Sequence, residues 1–144
     1  MVLRFENVID VSAQLRDGEW LYPYIEIRME YIGSQLSVNH YLGKSGNRFY
    51  VKRDTQRWMD ELAWMLKAMA KSKQIEFKPP VKIFIRGIFK DARAQPDLDN
   101  LLKVTCDAVS DGLGIDDKHF IHETGSSELQ KYCTPTLIIK VSQG

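Results

Sequence analysis

Residues 81–117 read VKIFIRGIFKDARAQPDLDNLLKVTCDAVSDGLGIDD, and the fold is predicted outward from this stretch. Its first nine residues alternate in polarity but are partly apolar on both faces, which is typical of a central strand. Behind Pro96, apolar residues recur at helical spacing until Gly112, which we take as the end of a helix. The stretch therefore predicts a strand and a helix, followed by a return that begins with Asp116 and Asp117.

The flanking sequence adds one helix and three strands to this unit. Alternation over residues 24–31 predicts a half-buried strand, and an apolar stripe over 52–73 predicts a helix. Residues 33–47 are rich in Gly, Ser and Asn and are expected to form a loop, while 117–123 and 134–142 are expected to be strands. The predicted fold is α/β (α+β), with a small mixed sheet flanked by two helices.

Length and composition are those of one globular domain. The chain has 144 residues, of which 44% are hydrophobic and 27% charged, and this is ordinary globular composition. We expect a domain over residues 22–144, preceded by an N-terminal extension of uncertain structure over residues 1–21. The apolar pattern of that extension, at Phe5, Val8, Ile9 and Val11, is weak.

No membrane or secretory signal is present in the sequence. No apolar run approaches the roughly 20 residues of a membrane span, and residues 1–6 lack the pattern of a signal peptide. We therefore expect a cytoplasmic location and no membrane partner. Cys106 and Cys133 match no paired motif and are expected to be free thiols.

Charge is segregated along the chain although the net charge is only +1. Residues 40–90 contain twelve basic and four acidic residues, whereas residues 91–128 contain three basic and nine acidic ones. A basic half can track a phosphate backbone while an acidic cluster holds metal. Solvated helix faces and lysines on edge strands explain the charge pattern equally well.

The carboxylates that bracket the second predicted helix form a candidate metal site. Asp97 is placed to cap the helix, Asp99 lies in its first turn, and the strand after the helix would bring Asp116 or Asp117 back to them if it pairs with the earlier strand. Carboxylates without nearby His or Cys suit Mg²⁺ or Mn²⁺. Lys103, one turn beyond Asp99, would stabilise negative charge on a phosphate.

A purely structural interpretation of these residues is also open. Asp is a favoured helix cap, Asp99 and Lys103 have ordinary i, i+4 spacing, and an Asp pair in a turn is common. Spacing alone favours this interpretation. A calcium-binding loop is excluded, because Leu102 stands where that loop needs Gly and Ala108 where it needs Glu.

The string DLDNLLK at residues 97–103, followed by a helix and the pair at 116–117, resembles the signature of the RusA family of Holliday junction resolvases. The resemblance extends to Ser37, Asn39 and Tyr41, which are similar to the family's Ser-x-Asn-x-Tyr element, and it covers roughly residues 22–142. The combined pattern is specific, although each piece alone is weak.

The resemblance implies a homodimeric endonuclease, of phage or prophage type, that cuts four-way DNA junctions in recombination and repair with Mg²⁺, for which Mn²⁺ can substitute. It implies metal ligation by Asp97, Asp99 and Asp117, with Lys103 assisting. Asp116 is the ligand if the alignment shifts by one residue. Asp107 also matches a recurrent family aspartate, and we interpret it as holding Lys103 or the following turn in place, in preference to binding metal.

The family's DNA-contacting segments match two parts of this chain. These parts, residues 37–40 and 93–100, contain the candidate DNA-binding residues Ser37, Asn39, His40, Arg93 and Asn100. Lys44 and Arg48, in and next to the predicted loop, are further candidates, and exposed loop polarity explains His40 and Arg48 equally well. Arg93 is the only basic residue at 92–96, where some members carry an arginine run, so weaker phosphate affinity is expected there. His119 and His122 are three apart on a predicted strand, face opposite sides, and are expected to share no metal.

Two other functions fit the same residues. One is a DNA-structure-binding protein without catalysis, which would need no metal. The other is a Mg²⁺-dependent nuclease acting on flaps or other branched DNA. A measurement of metal binding distinguishes the DNA-structure-binding protein from a resolvase. A comparison of cleavage of different branched DNA substrates distinguishes the broader nuclease from a resolvase.

Overall fold

A computed structural model describes strand backbone at Val8–Ser12, Leu15–Arg16 and Glu19–Trp20, and all of residues 24–144. The strands are Val8–Ser12 (β1), Leu15–Arg16 (β2), Glu19–Trp20 (β3), Tyr24–Glu30 (β4), Leu42–Ser45 (β5), Arg48–Val51 (β6), Val81–Phe89 (β7), Phe120–Thr124 (β8), Glu128–Leu129 (β9) and Thr136–Gln143 (β10). The helices are Arg53–Ser72 (α1) and Leu102–Leu113 (α2), and short 3-10 turns lie at Ser34–Leu36, Leu98–Leu101 and Asp117–His119.

The main sheet has six strands and mixed direction. Its order is β1-β4-β10-β7-β8, and β9 pairs with β7 beyond the end of β8. β8 and β9 run parallel to β7, whereas the other pairs are antiparallel. The pairs β2-β3 and β5-β6 form separate two-stranded sheets. This arrangement confirms the predicted α/β class, the central place of β7 and the return of β8 to its side.

One face of the sheet forms the core with the two helices. Along β4 the buried residues Ile25, Ile27 and Met29 alternate with more exposed charged residues, as a strand covered on one side requires. Buried residues from β7, β10, α1 and α2 complete the same cluster. Each fully buried Ile or Leu contributes roughly 1.5–3 kcal/mol to folding, so this cluster fixes where the helices lie.

Helix α1 confirms the predicted apolar stripe. Trp58, Leu62, Met65 and Leu66 are all buried, and the helix spans Arg53–Ser72, close to the expected range. The indole Nε1 of Trp58 donates to the carbonyl of Glu30 at 2.9 Å, so the buried ring keeps its polar atom satisfied. Packing and this hydrogen bond together anchor α1 on the end of β4.

Four expectations about local structure were wrong in detail. The expected loop at 33–47 contains a 3-10 turn and strand β5, whose hairpin continues into β6. The α2 segment begins as a 3-10 turn at Leu98–Leu101 and becomes an α-helix at Leu102. The strand expected at 117–123 starts three residues later, because Asp116 caps a 3-10 turn there, and it ends at Thr124. The last strand occupies Thr136–Gln143 instead of 134–142.

The end of α2 differs as well, and the two glycines there have different tasks. Gly112 lies inside the helix, which continues to Leu113, and the cap is Gly114 with a left-handed φ of 68°. A side chain at Gly112 would place its Cβ 2.6 Å from the carbonyl oxygen of Ala63 on α1. Gly112 therefore permits the close approach of α1 and α2, and Gly114 ends the helix.

We expect Gly112→Ala to destabilise the protein by roughly 1–3 kcal/mol, through the clash with the α1 backbone. Helix propensity alone predicts the opposite sign, a gain of up to about 1 kcal/mol. Urea denaturation measures the difference, with Asp111→Ala on the exposed side of α2 as the control, which should change stability by less than about 0.5 kcal/mol. A more stable Gly112→Ala variant would contradict the close-packing explanation.

The described residues also bear on the expectations for membrane spans, for the two cysteines and for the N-terminal extension. No helix among the described residues is long and apolar enough to cross a membrane. Cys106 and Cys133 are free thiols, as predicted. The weak apolar pattern at residues 1–11 lies largely outside the described residues, apart from strand β1, which pairs with β4. The division at residue 21 stays a prediction.

Candidate active site

The segment 97–101 forms a short turn that presents two carboxylates to solvent. Asp97 has extended backbone, and its Oδ1 accepts a hydrogen bond from the backbone N–H of Asp99 at 3.1 Å, so the predicted cap is present. Leu98 and Leu101 are buried in the core, whereas Asp97 and Asp99 are exposed. Burial of the two leucines therefore fixes the turn against the core, and the aspartates between and before them direct both carboxylates outward. We call residues 97–101 the acidic turn.

Strand β8 contributes a contact to the acidic turn that sequence analysis missed. The hydroxyl of Thr124 donates to Oδ1 of Asp99 at 2.9 Å. Thr124 is the last residue of β8, and the parallel register that pairs it with Ile85 carries it to the acidic turn. This contact could not be predicted from the sequence, because it depends on the register between β7 and β8.

The two aspartates after α2 have different roles in the structure. Oδ1 of Asp116 accepts from the backbone N–H of Lys118 at 3.0 Å, and this hydrogen bond is the main cause that lowers the pKa of Asp116. Asp117 instead lines a cavity of about 250 Å³ beside the first turns of α2, whose other lining residues are Leu102, Lys103, Cys106 and His122. Of the pair, Asp117 is thus the one whose side chain lies beside Lys103.

Lys103 is held by Asp107 rather than by Asp99. Its Nζ lies 3.2 Å from Oδ1 of Asp107, and this hydrogen bond, followed by the charge of Asp107, raises the pKa of Lys103. Across residues 24–144, no salt bridge joins Lys103 to Asp99, so the i, i+4 pairing considered from the sequence is absent. Lys103 therefore carries a full ammonium charge in the cavity that Asp117 also lines.

His122 and Cys106 lie in the same cavity, but neither completes a set of metal ligands. His122 is exposed on β8, on the same side of the strand as Thr124, while His119 is exposed in the preceding 3-10 turn. Burial raises the pKa of the Cys106 thiol to about 11, so the thiol is neutral at physiological pH. Neither side chain adds a soft anionic ligand to the site.

The burial and low reactivity expected of the Cys106 thiol can be checked directly. Iodoacetamide at pH 8 should alkylate Cys133 first and leave Cys106 largely unmodified, because Cys106 is buried and its pKa lies well above 8. Mass spectrometry of peptides from the folded protein measures this difference, and alkylation in urea should modify both residues. Equal reaction rates in the folded protein would contradict the described burial of Cys106.

The predicted DNA-contacting loop lies against the acidic turn. The backbone N–H of Val38 donates to the carbonyl of Asn100 at 2.8 Å, and Oγ of Ser37 accepts from the backbone N–H of Asn39 at 3.3 Å. The structure thus brings the Ser37, Asn39 and His40 segment next to Asn100. Among the other candidates, Lys44 and Arg48 lie on the β5–β6 hairpin, and Arg93 is exposed in the loop that precedes the acidic turn.

The donor atoms at the acidic turn fit a hard divalent cation. Asp97 and Asp99 each use one carboxylate oxygen in the hydrogen bonds above, which leaves the other oxygen without a partner in those contacts, and carboxylate oxygens are ligands that Mg²⁺ takes. Over residues 24–144 and the three short N-terminal strands, no three acidic, His or Cys side chains are grouped closely enough to hold one ion. Ligation by Asp97, Asp99 and Asp117 together therefore stays a prediction.

Fold and site together define a mixed α/β protein with an acidic, solvent-facing turn beside a polar loop that leads into a basic hairpin, an arrangement suited to phosphodiester chemistry. The family model of endodeoxyribonuclease RusA matches residues 34–142. The chain belongs to the RusA endodeoxyribonuclease family, a family of Holliday-junction-resolving endonucleases. The matched range contains the acidic turn, Lys103 and Asp117. No curated protein gives a significant match to the sequence.

Proposed function

We propose that this protein is a Mg²⁺-dependent endodeoxyribonuclease that resolves four-way DNA junctions during recombination and repair. The observation that carries the proposal is the contact between the acidic turn and the loop at residues 37–41 within a chain of the RusA family. This contact places candidate metal ligands beside candidate DNA ligands. A scissile phosphate held by the loop would therefore lie next to the aspartates.

Asp97, Asp99 and Asp117 would hold the metal, and each would supply a carboxylate oxygen. When bound, Mg²⁺ would polarise the phosphate and promote hydrolysis of the phosphodiester bond. Lys103 then has a separate task, since its ammonium can stabilise the negative charge that develops on phosphate oxygens. Asp107 keeps Nζ of Lys103 in position through the 3.2 Å contact. The buried leucines of the acidic turn keep the carboxylates in place.

Positive charge near the acidic turn supports DNA as the substrate. Lys44, Arg48 and Arg93 are exposed, and across residues 24–144 none of them forms a salt bridge. Cations without a carboxylate partner can contact phosphates and make affinity fall with rising salt. A second copy of the chain would supply a second site, so that a homodimer cuts two opposing strands of one junction.

The substrate proposal is tested with four-way, three-way, flap and duplex DNA of matched arm sequence at one salt concentration. We expect Mg²⁺-dependent cleavage of the four-way junction at least tenfold faster than of the other substrates. Faster cleavage of flaps or three-way DNA would replace the resolvase assignment with a broader branched-DNA nuclease. Junction binding without cleavage of any substrate would indicate a DNA-structure-binding protein.

Thr124 is expected to position Asp99 for metal binding. Thr124→Val removes the hydrogen bond to Oδ1 of Asp99 while keeping the shape of the side chain, and we expect Mn²⁺ affinity to fall roughly 10-fold, within the range for residues that orient ligands. Isothermal titration with Mn²⁺ measures the affinity, and thermal unfolding without metal checks the fold. Thr124→Ser keeps the hydroxyl and should retain the Mn²⁺ affinity of the wild type. If the Ser and Val variants bind Mn²⁺ equally, Thr124 has no such role.

A further inference from the structure

The β5–β6 hairpin displays large aromatic side chains that the core does not use. Phe49 is 68% exposed and Tyr50 is 52% exposed, although both are in a strand. The hairpin forms its own two-stranded sheet outside the main one. It closes through a two-residue turn that starts at Gly46, where φ is 62°, a conformation that glycine adopts readily.

Each ring has a fixed partner on the facing strand. Phe49 pairs with Lys44, whose ammonium lies 5.6 Å from the ring centroid. Tyr50 pairs with Gly43, and its ring lies so close that a Cβ on Gly43 would be 2.4 Å from Cζ of the ring. Because neighbouring residues of a strand point to opposite sides, the ribbon presents one ring on each face. These contacts orient the exposed rings without burying them.

The hairpin is connected to the acidic turn by a short series of backbone hydrogen bonds. At its base, the N–H of Lys52 donates to the carbonyl of Tyr41 and that of Tyr41 donates to the carbonyl of Ser37, both at 2.9 Å. The next residue, Val38, donates to Asn100 of the acidic turn at 2.8 Å. The aromatic rings therefore stand on a ribbon whose base is fixed to the candidate active site.

Charge around the rings favours nucleic acid over a second protein chain as their partner. Residues 44–57 contain five basic residues and one acidic residue, Asp54. The same basic patch on a second copy would meet it with like charge, which opposes a symmetric contact. Aromatic rings interspersed with cations are instead the composition of surfaces that stack bases and track phosphates.

We infer that Phe49 and Tyr50, one on each face of the hairpin, each provide a ring on which a base that unpairs at the branch point of the DNA can stack. This inference rests on the proposed function and adds to it a source of selectivity for branched structure. Exposing a base costs least where it is already unpaired or unstacked, and the continuous stacking of a duplex arm is interrupted at a branch point. Rings beside the active site would thus favour binding of the branch over the arms.

The test compares dissociation constants for a four-way junction and a matched duplex, measured by fluorescence anisotropy in EDTA at fixed salt. For Phe49→Ala and Tyr50→Ala we expect junction affinity to fall about 5- to 100-fold, the range of base–aromatic stacking, with duplex affinity within about twofold of wild type. Phe49→Trp and Tyr50→Phe keep a stacking ring and should retain junction affinity. Thermal unfolding checks that each variant folds.

Two control variants distinguish the loss of a stacking ring from the loss of a positive charge and from the loss of any exposed aromatic side chain. Arg48→Ala removes a cation from the same hairpin and should weaken junction and duplex binding by similar factors. Tyr132→Ala removes an aromatic side chain that is 99% exposed outside the hairpin and should change neither affinity. Equal loss of junction and duplex affinity in the alanine variants of Phe49 and Tyr50 would overturn the inference.

Light scattering without DNA tests the competing partner. If Phe49→Ala changes the molecular mass of the protein in solution, the hairpin is a contact between protein chains and the inference fails. Failure of the proposed function is recognised separately. A wild-type protein that neither binds nor cuts the junction refutes both, whereas normal cutting with an unchanged junction-to-duplex affinity ratio in the variants refutes the stacking surface alone.

Discussion

Replacing Asp99 by asparagine is expected to slow Mg²⁺-dependent cleavage of a four-way junction by about 10³-fold or more. Asparagine keeps the size of the side chain and an oxygen that accepts from Thr124, but it loses the negative charge that a metal ligand needs. Loss of several kcal/mol of transition-state stabilisation corresponds to this factor. Single-turnover cleavage of labelled junction DNA at saturating protein measures the effect.

Binding measured alongside cleavage distinguishes a chemical defect from a folding defect. Junction affinity of Asp99→Asn in EDTA should equal or exceed that of wild type, because one charge that repels phosphate has been removed. Asp97→Asn should behave alike, since asparagine also caps a helix start and leaves the acidic turn intact. Asp111→Asn, an exposed carboxylate near the end of α2, serves as the control and should cleave normally. Wild-type rates in both Asp97→Asn and Asp99→Asn would refute the site.

Replacing Lys103 by methionine is expected to lower the cleavage rate constant about 10²-fold, the effect typical of removing one group that stabilises charge in a transition state. Methionine retains the aliphatic length of lysine but carries no ammonium, so phosphate oxygens lose a positive neighbour. Mn²⁺ affinity should change little, because Lys103 is not a ligand. The same single-turnover assay gives the rate, and titration calorimetry gives the affinity.

A matched variant separates the charge of Lys103 from its placement. Asp107→Asn keeps the ammonium of Lys103 but removes the negative charge that holds Nζ at 3.2 Å. The cleavage rate should then fall by a smaller factor, about 3- to 10-fold, because Lys103 is still present and only its positioning partner is weakened. Lys103→Arg restores positive charge with a different shape and should recover part of the rate. A rate for Lys103→Met within twofold of wild type would exclude a role in charge stabilisation.

Local sequence patterns predicted those parts of the molecule that depend on neighbouring residues. The stripe of α1, the alternation of β4 and the Asp97 cap each involve residues a few positions apart, and each is present in the structure. The acidic turn was predictable for the same reason, since leucine and aspartate alternate within five residues. Hydrophobic spacing and capping preference were sufficient for these elements.

Features set by contacts between distant residues were not predictable from the sequence. β10 is the last strand of the chain, yet it inserts between β4 and β7, and no local pattern specifies that order. Strand β5 lies within the predicted loop at 33–47, and neither strand of the β5–β6 hairpin was predicted, because each is only four residues long and largely exposed. The contact between Thr124 and Asp99 joins residues 25 positions apart and depends on the parallel register of β8.

The most direct test of the proposed metal-dependent resolvase is cleavage of one labelled four-way junction by the wild-type protein, first with Mg²⁺, then with EDTA, and finally with Mg²⁺ restored. We predict paired cuts on opposing strands that disappear in EDTA and return when Mg²⁺ is added back. Cutting that continues undiminished in EDTA, or stable junction binding without cutting at any Mg²⁺ concentration, would contradict the proposal.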